Sequence, residues 1–390
     1  MENLVMITNW PTKKLTDLCK LERGTEPGSD SYVKDLVGTI PFLRVGDLTG
    51  KVDAKRFVKK SNNNLQVVNK NETLITFDGT PGIVVRGFSG AIASGIRVIR
   101  NLKPEINGDF LFYYLKTPMV QKMIKAYSKG VTIIHASAAI PYIKIPLPSV
   151  LIQRKIVERL DATKKAQELN NKQIELAEEL FQSLLHRELD PKGKNWEGRF
   201  LKDILVKIQN GTTAKQNQEG RGYPVTRIET IQNSQIDPLR IRHAELSQEE
   251  FEKYRLNLGD ILFSHINSEE LIGKVAIFEN QIENLILGMN LLVLRPQKTL
   301  VIPHYLYFYF LTQDARTQIA RNAKRAVNQA SINQAQLARF KVPTSSLGVQ
   351  KQIVEKLSAV QDYKKKLLEQ KAKLQELFES VLNKSMKGQL

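Results

Sequence analysis

Lysines and arginines are the side chains with chemistry to offer, and they come in clusters. Lys51, Lys55, Arg56, Lys59 and Lys60 crowd one stretch of the first half, and Lys129 stands beside Gly130 further on. In the second half Arg240 and Arg242 alternate, and Arg321, Lys324 and Arg325 form a tight run. Arg44 and Arg227 fall at matched places in two similar pentapeptides, Pro41-Phe42-Leu43-Arg44-Val45 and Pro224-Val225-Thr226-Arg227-Ile228. Each of that pair serves either a shared phosphate contact or the bracing of a shared strand. Lys and Arg at phosphates supply affinity and position, while Arg, Asn, Gln, Ser and Thr on loops read base edges. The loop sequences Phe77-Asp78-Gly79-Thr80 and His265-Ile266-Asn267-Ser268 suit contacts of this second kind, with Thr80 the candidate in the first.

Catalytic and metal chemistry is not spelled out. The chain has no Walker loop, no glycine-rich dinucleotide fingerprint after a strand, no paired-cysteine zinc pattern and no Asn-Pro-Pro-aromatic methyltransferase tetrad. His135, His186, His243, His265 and His304 are scattered without metal-like spacing, and no acidic pair has the spacing of a nuclease site. The expectation is therefore no catalytic residue and no metal ligand.

Charge points the same way. The net charge is +18, and residues 1–150 carry 21 Lys and Arg against 12 Asp and Glu. Residues 151–194 are balanced at 9 against 8, 195–346 carry 19 against 15, and 347–390 carry 9 against 5. Basic globular parts on a balanced connector suit a polyanion contacted mainly by the globular parts. The single cysteine, Cys19, leaves no internal disulfide to form and suits a reducing cytosol. The opening Met-Glu-Asn-Leu-Val-Met lacks the basic start and apolar run of a signal peptide. The most apolar stretch, 301–311, is short and carries Pro303 and His304, so a cytoplasmic protein is expected.

The elements that must position these residues occur twice. Segment 153–185 aligns without a gap onto 350–382, with 12 of 33 positions identical, among them Gln153/Gln350, Ile156/Ile353, Glu158/Glu355 and Phe181/Phe378. Upstream the copies diverge: the pentapeptides match at an offset of 183, and Glu72-Thr73 onward matches Gly259-Asp260 onward at 187. Ser149 and Ser346 are the expected N-caps of two helices of roughly 35 residues, the first stopped near Leu189 by Asp190-Pro191-Lys192-Gly193 and the second near Lys387-Gly388. A 4-3 apolar spacing runs along both, through Ile156, Leu160, Phe181 and Leu184 in one and Ile353, Leu357, Leu374, Phe378 and Val381 in the other. That seam predicts an antiparallel coiled coil with a polar middle, Thr163 facing Leu374, Asn170 facing Leu367 and Gln167 near Lys371. The alternative is two amphipathic helices packed separately on their own domains. Within the first globular copy, 74–77, 83–86 and 96–99 read as strands. The aromatic-rich runs 110–115 and 305–311 open helices expected to continue through Met123 and Ile319, with the aromatics in the core.

The fold class is thus α+β: two similar α/β domains, 1–148 and 195–345, each followed by a long helix, 149–190 and 346–388. This order resembles the specificity subunit of type I restriction-modification systems. The sharpest signature is the proline-rich run, then Gln, then an Ile-Val-Glu helix start. It reads Ile145-Pro146-Leu147-Pro148 with Gln153-Arg154-Lys155-Ile156-Val157-Glu158, and again Val342-Pro343 with Gln350-Lys351-Gln352-Ile353-Val354-Glu355. Two departures stand out: Glu72-Thr73 where Gly-Asp often opens a strand, and residues 128–132 and 323–328 where a Gly-Ser/Thr-rich turn is common.

The resemblance implies a non-catalytic subunit whose two target recognition domains each read half of an asymmetric bipartite DNA site, with the helices as a ruler. It implies docking of two modification subunits, which bind S-adenosylmethionine, and later of restriction subunits, which use ATP and Mg; this chain would bind none of these cofactors. Two other classes compete: a methyltransferase or nuclease fragment with a DNA-binding tail, and a duplicated coiled-coil scaffold without a DNA role.

Overall fold

In the computed structural model, which describes residues 10–28, 31–33, 37–50, 56–62, 64–131, 134–327 and 329–389, the apolar run at Ile96 is the centre of a sheet. Two units separate, residues 1–171 with 369–390, and residues 172–368. In the first, β1 (Lys20–Arg23), β2 (Thr73–Thr76), β3 (Val84–Val85) and β4 (Ile96–Arg100) form an antiparallel sheet in the order β1-β4-β2-β3. Leu21 and Thr73 both pair with Ile99. A second sheet holds five short strands in the order Tyr32–Val33, Phe57–Lys59, Thr39–Leu43, Gly90–Ile92, Val67–Val68, with one parallel pairing of Ala91 to Phe42. Gly90 is at φ +145°, and a Cβ there would lie 2.3 Å from the Pro41 carbonyl oxygen, so close strand approach demands glycine.

The aromatic run becomes α1 (Gly108–Leu115), capped by Asn107, whose side chain accepts from the Asp109 and Phe110 N–H groups at 2.9 Å. It does not continue through Met123. Thr117 is extended (ψ 148°) before Pro118, as pre-proline sterics favour, and α2 (Pro118–Ala126) starts afresh. Phe110, Leu111, Tyr114 and Leu115 bury against Ile75 and Phe77, so these aromatics are core. The chain then enters α3 (Val150–Leu189).

The second unit repeats the sheet. Here β5 (Leu205–Asn210), β6 (Ile261–Ser264), β7 (Val275–Ile277) and β8 (Leu291–Pro296) take the order β5-β8-β6-β7. The register corrects the alignment at 187. Glu72 Oε2 accepts from the Asn69 N–H, and Asp260 Oδ2 from the Asn257 N–H, both at 2.8 Å. Each carboxylate also pairs with an arginine of the central strand, Glu72 with Arg100 at 2.6 Å and Asp260 with Arg295 at 2.7 Å. Glu72 therefore stands where Asp260 does, one position off the sequence match, and the departure narrows to Asn71-Glu72 in place of Gly-Asp. The helices α4 (Pro303–Phe310) and α5 (Gln313–Asn322) are again separate. The break falls at Thr312, whose Oγ1 accepts from the Ala315 N–H at 3.2 Å. Tyr305, Phe308, Tyr309 and Phe310 are buried core. Last comes α6 (Leu347–Met386).

Both long helices have 40 residues, about 60 Å each. Ser149 and Ser346 are their caps, with Ile152 N–H 3.4 Å from one hydroxyl and Val349 N–H 3.5 Å from the other. In the first unit Gln167 Nε2 donates to the Leu374 carbonyl at 3.1 Å and to Gln375 Oε1 at 3.2 Å. Tyr113, hydrogen-bonded to Asp161, lies with its ring 6.1 Å from Phe378. Rising numbers on α3 thus meet falling numbers on α6, as an antiparallel pair requires. In the second unit Glu178 pairs with Lys364, and Glu188 with Lys356 at 3.1 Å, again antiparallel. The Lys364 ammonium, with help from Gln182, holds the Glu178 carboxyl below the usual carboxylate range.

The apolar seam ends do more than pair. Ile156 and Leu160 share a core with Phe378, Val381, Leu382 and the α1 aromatics. Phe181, Leu184, Ile353 and Leu357 share the other core with the α4 aromatics. Each core therefore takes the start of one helix and the end of the other; Leu374, nearer the middle, stays half-buried. No described helix is long and apolar enough to cross a membrane.

Candidate nucleic-acid interface

In the second unit, strand Arg242–Ala244 lies between Gln216–Asn217 and Tyr223–Val225, with Asn217 and Pro224 both opposite His243. Asn217 ties the connecting loop shut: its Oδ1 accepts from the Arg221 N–H at 3.1 Å and its Nδ2 donates to the Arg221 carbonyl at 2.9 Å. Gly222, at φ +85°, passes so near Ala244 that a Cβ would meet its carbonyl oxygen at 2.2 Å. The result is a groove of about 380 Å³ where Lys215, Arg221, Arg227 and Arg242 meet the amides of Gln216, Asn217 and Gln218. Glu219 also lines it, 3.8 Å from Arg221, and Arg227 pairs with Glu229 at 2.8 Å. Such exposed pairs are weak, on the order of 0–1 kcal/mol, so a phosphate can displace them. Four cations beside three side-chain amides can hold a backbone and read an edge.

In the first unit Arg44 and Arg56 converge on Tyr32, their guanidinium carbons 5.7 and 5.4 Å from its ring centroid. Arg44 Nη2 also donates to the Tyr32 hydroxyl at 3.0 Å, and Tyr32 packs edge-on against Phe42. Among the described residues, Arg44, Arg56 and Arg242 have no carboxylate partner.

The other sequence candidates lie apart. Lys59 and Lys60 are exposed, the first on a strand opposite Thr39. Exposed Thr80 accepts at its carbonyl from Thr76 Oγ1 at 2.6 Å. Lys129 forms a backbone bridge to His135, whose Nδ1 is 2.8 Å from Asp78 Oδ1. Arg240 is ion-paired to Asp237 at 3.0 Å. Arg321 and Arg325 line a separate groove of about 480 Å³ with Glu269 and Glu270, and Arg325 pairs with Glu269 at 2.9 Å. Lys324 is exposed on the neighbouring strand, opposite Ser331. Lys51 and Lys55, with Thr132 and Asn328 of the two variant turns, lie outside the described residues. Lys215 and Arg221 were missed by sequence reasoning. The signal was there in Lys215-Gln216-Asn217-Gln218-Glu219-Gly220-Arg221-Gly222, a polar run with a glycine on each side of an arginine.

The duplicated sheet, the duplicated helix start and the basic grooves agree with comparisons to known proteins. The sequence model of the type I restriction modification DNA specificity domain matches twice, at residues 7–179 and 193–377. The chain is 24% identical to the type I restriction enzyme EcoKI specificity subunit of Escherichia coli, over 97% of this chain and 88% of that protein. A stretch of 166 residues is 54% identical to the putative type I restriction enzyme MjaX specificity subunit of Methanocaldococcus jannaschii, covering 42% of this chain and 39% of that protein. In fold it is similar to a chain from a solved structure concerned with complex assembly and conformational transition of the type I R-M system, with a TM-score of 0.64 and 18% identity over 98% of each chain. Two matches to one family model, together spanning most of the sequence and each running from a sheet domain into a long helix, leave one assignment: the chain belongs to the type I restriction-modification DNA specificity family.

Proposed function

We infer that this chain is the subunit that selects DNA sequence in a type I restriction-modification complex. Its two domains read the two halves of an asymmetric site, and α3 and α6 set the spacing and receive two modification subunits. The observation that carries this reading is the pairing of like with unlike. The sheet order and the helix start recur in both copies, while the strands that carry the clustered arginines differ in length and side chains. A duplicated scaffold with divergent polar faces suits one type of partner bearing two different sequences. Catalysis, S-adenosylmethionine, ATP and Mg then belong to the modification and restriction subunits, and the assembly works in the cytoplasm.

Replacing residues 195–345 by a recognition domain of known target tests this. With the cognate modification subunits, the methylated motif should change in one half only. A change in both halves, or in neither, would remove the modular reading.

A further inference from the structure

We propose that both domains grip DNA through one duplicated constellation: an arginine pair, Arg44 with Arg56 and Arg227 with Arg242, around a variable residue, Tyr32 or Gln216. This rests on the reading of the chain as a DNA-recognition subunit and names the side chains that make the contact. The strand registers supply the equivalence. In the first unit Pro41 is opposite Phe57, and the Phe42 N–H donates to the Arg56 carbonyl at 2.7 Å. In the second, Pro224 is opposite His243 and Val225 opposite Arg242. Setting Pro41 on Pro224 therefore sets Arg56 on Arg242. The third strand follows, with Tyr32 opposite Val58 and Gln216 opposite Ala244. Arg44 and Arg227 share a backbone device as well. The N–H of each is capped by a side-chain oxygen three residues on, Asp47 Oδ2 at 2.7 Å and Thr230 Oγ1 at 2.8 Å.

Among the described residues, no internal contact shared by the two copies accounts for both arginines. Arg44 and Arg56 rest on a tyrosine that the second copy lacks, and Arg227 pairs with Glu229, where the first copy has Gly46. All four are half-buried, with part of each side chain left to solvent. A requirement common to both copies and absent from their internal contacts is an external one. The chemistry that two neighbouring guanidinium groups suit is a phosphate backbone. Position 32/216 is where the copies part: the Gln216 amide can both donate to and accept from an adenine edge, whereas Tyr32 presents a ring and a single hydroxyl.

The test uses the full-length chain and duplex DNA of random sequence, titrated across a range of salt. Arg44→Ala with Arg56→Ala, and separately Arg227→Ala with Arg242→Ala, should each flatten the log-log salt slope by about 0.9 for every phosphate left without its cation. The corresponding Arg→Lys pairs should keep most of the slope, which separates removal of charge from a misfolded domain. Unchanged slopes in the alanine variants, or lysine variants that fall as far as alanine, would overturn the proposal. Selection from randomised duplexes with Gln216→Ala should relax preference in one half of the bound site only. Relaxation in both halves or in neither would remove Gln216 as a reader. If the unaltered chain holds no DNA at all, the failure belongs to the proposed function and not to this constellation.

Discussion

Gln153 and Gln350 show how one side chain can join a helix to a domain. Both are fully buried. Gln350 Nε2 donates to the Leu300 carbonyl at 3.1 Å and the Ser345 carbonyl at 2.9 Å, while its Oε1 accepts from the Ile302 N–H at 2.8 Å. Gln153 does the same with the Glu105 and Pro148 carbonyls and the Asn107 N–H, at 2.8, 2.9 and 2.7 Å. The glutamine thus ties the loop before the aromatic helix to the first turn of the long one, using both amide donors and its carbonyl. Gln350→Ala leaves buried backbone groups without partners and should lower stability by about 2–3 kcal/mol, seen as a shifted denaturant midpoint at constant slope. Gln350→Glu keeps the shape but loses both donors, and should cost at least as much at neutral pH. A loss below about 0.5 kcal/mol in either variant would show that water replaces these bonds.

For the long helices, register decides where length can be added. On the expected seam, a cut after Asn170 is matched by one after Leu367. One heptad added at both places keeps the apolar phase. It should lengthen the spacer of the methylated motif by about 10 Å at 1.5 Å per residue, or roughly three base pairs at about 3.4 Å each. A heptad in one helix alone leaves seven residues unpartnered and should weaken assembly with the modification subunits. A double insertion that leaves the spacer unchanged would mean that the helices do not set it.

For the molecule as a whole, the assignment of cofactors is as testable as that of DNA. The net charge of +18 belongs mostly to the first domain and to the last 195 or so residues, while the first helix is balanced. That distribution offers phosphate contacts over a wide surface. Calorimetric titration of the full chain with S-adenosylmethionine should give no saturable heat, and saturable heat should appear once the modification subunits are added. Saturable binding by this chain alone would move it towards the methyltransferase class.

The two-copy plan, the starts and stops of both long helices, and the aromatic core follow from the amino-acid order with no help from distant contacts. Those signals are local: a serine cap, a proline stop and a 4-3 period mean the same wherever the segment sits. Even the helix breaks at Thr117 and Thr312 are legible in part, through Pro118 in one copy, though the second copy breaks on a threonine cap alone. Which residues meet is a matter of three-dimensional packing. A polar helix middle gives little preference between registers one turn apart, so the apolar ends, packed into the domain cores, have to fix it. Loop lengths between strands vary, so equivalence drifts from 183 for Arg44 and Arg227 to 186 for Arg56 and Arg242, and no single offset finds both. Strand pairing compares each residue with the one across the ladder instead of the one along the chain, and that is what brings the arginine pairs together and sets Glu72 on Asp260.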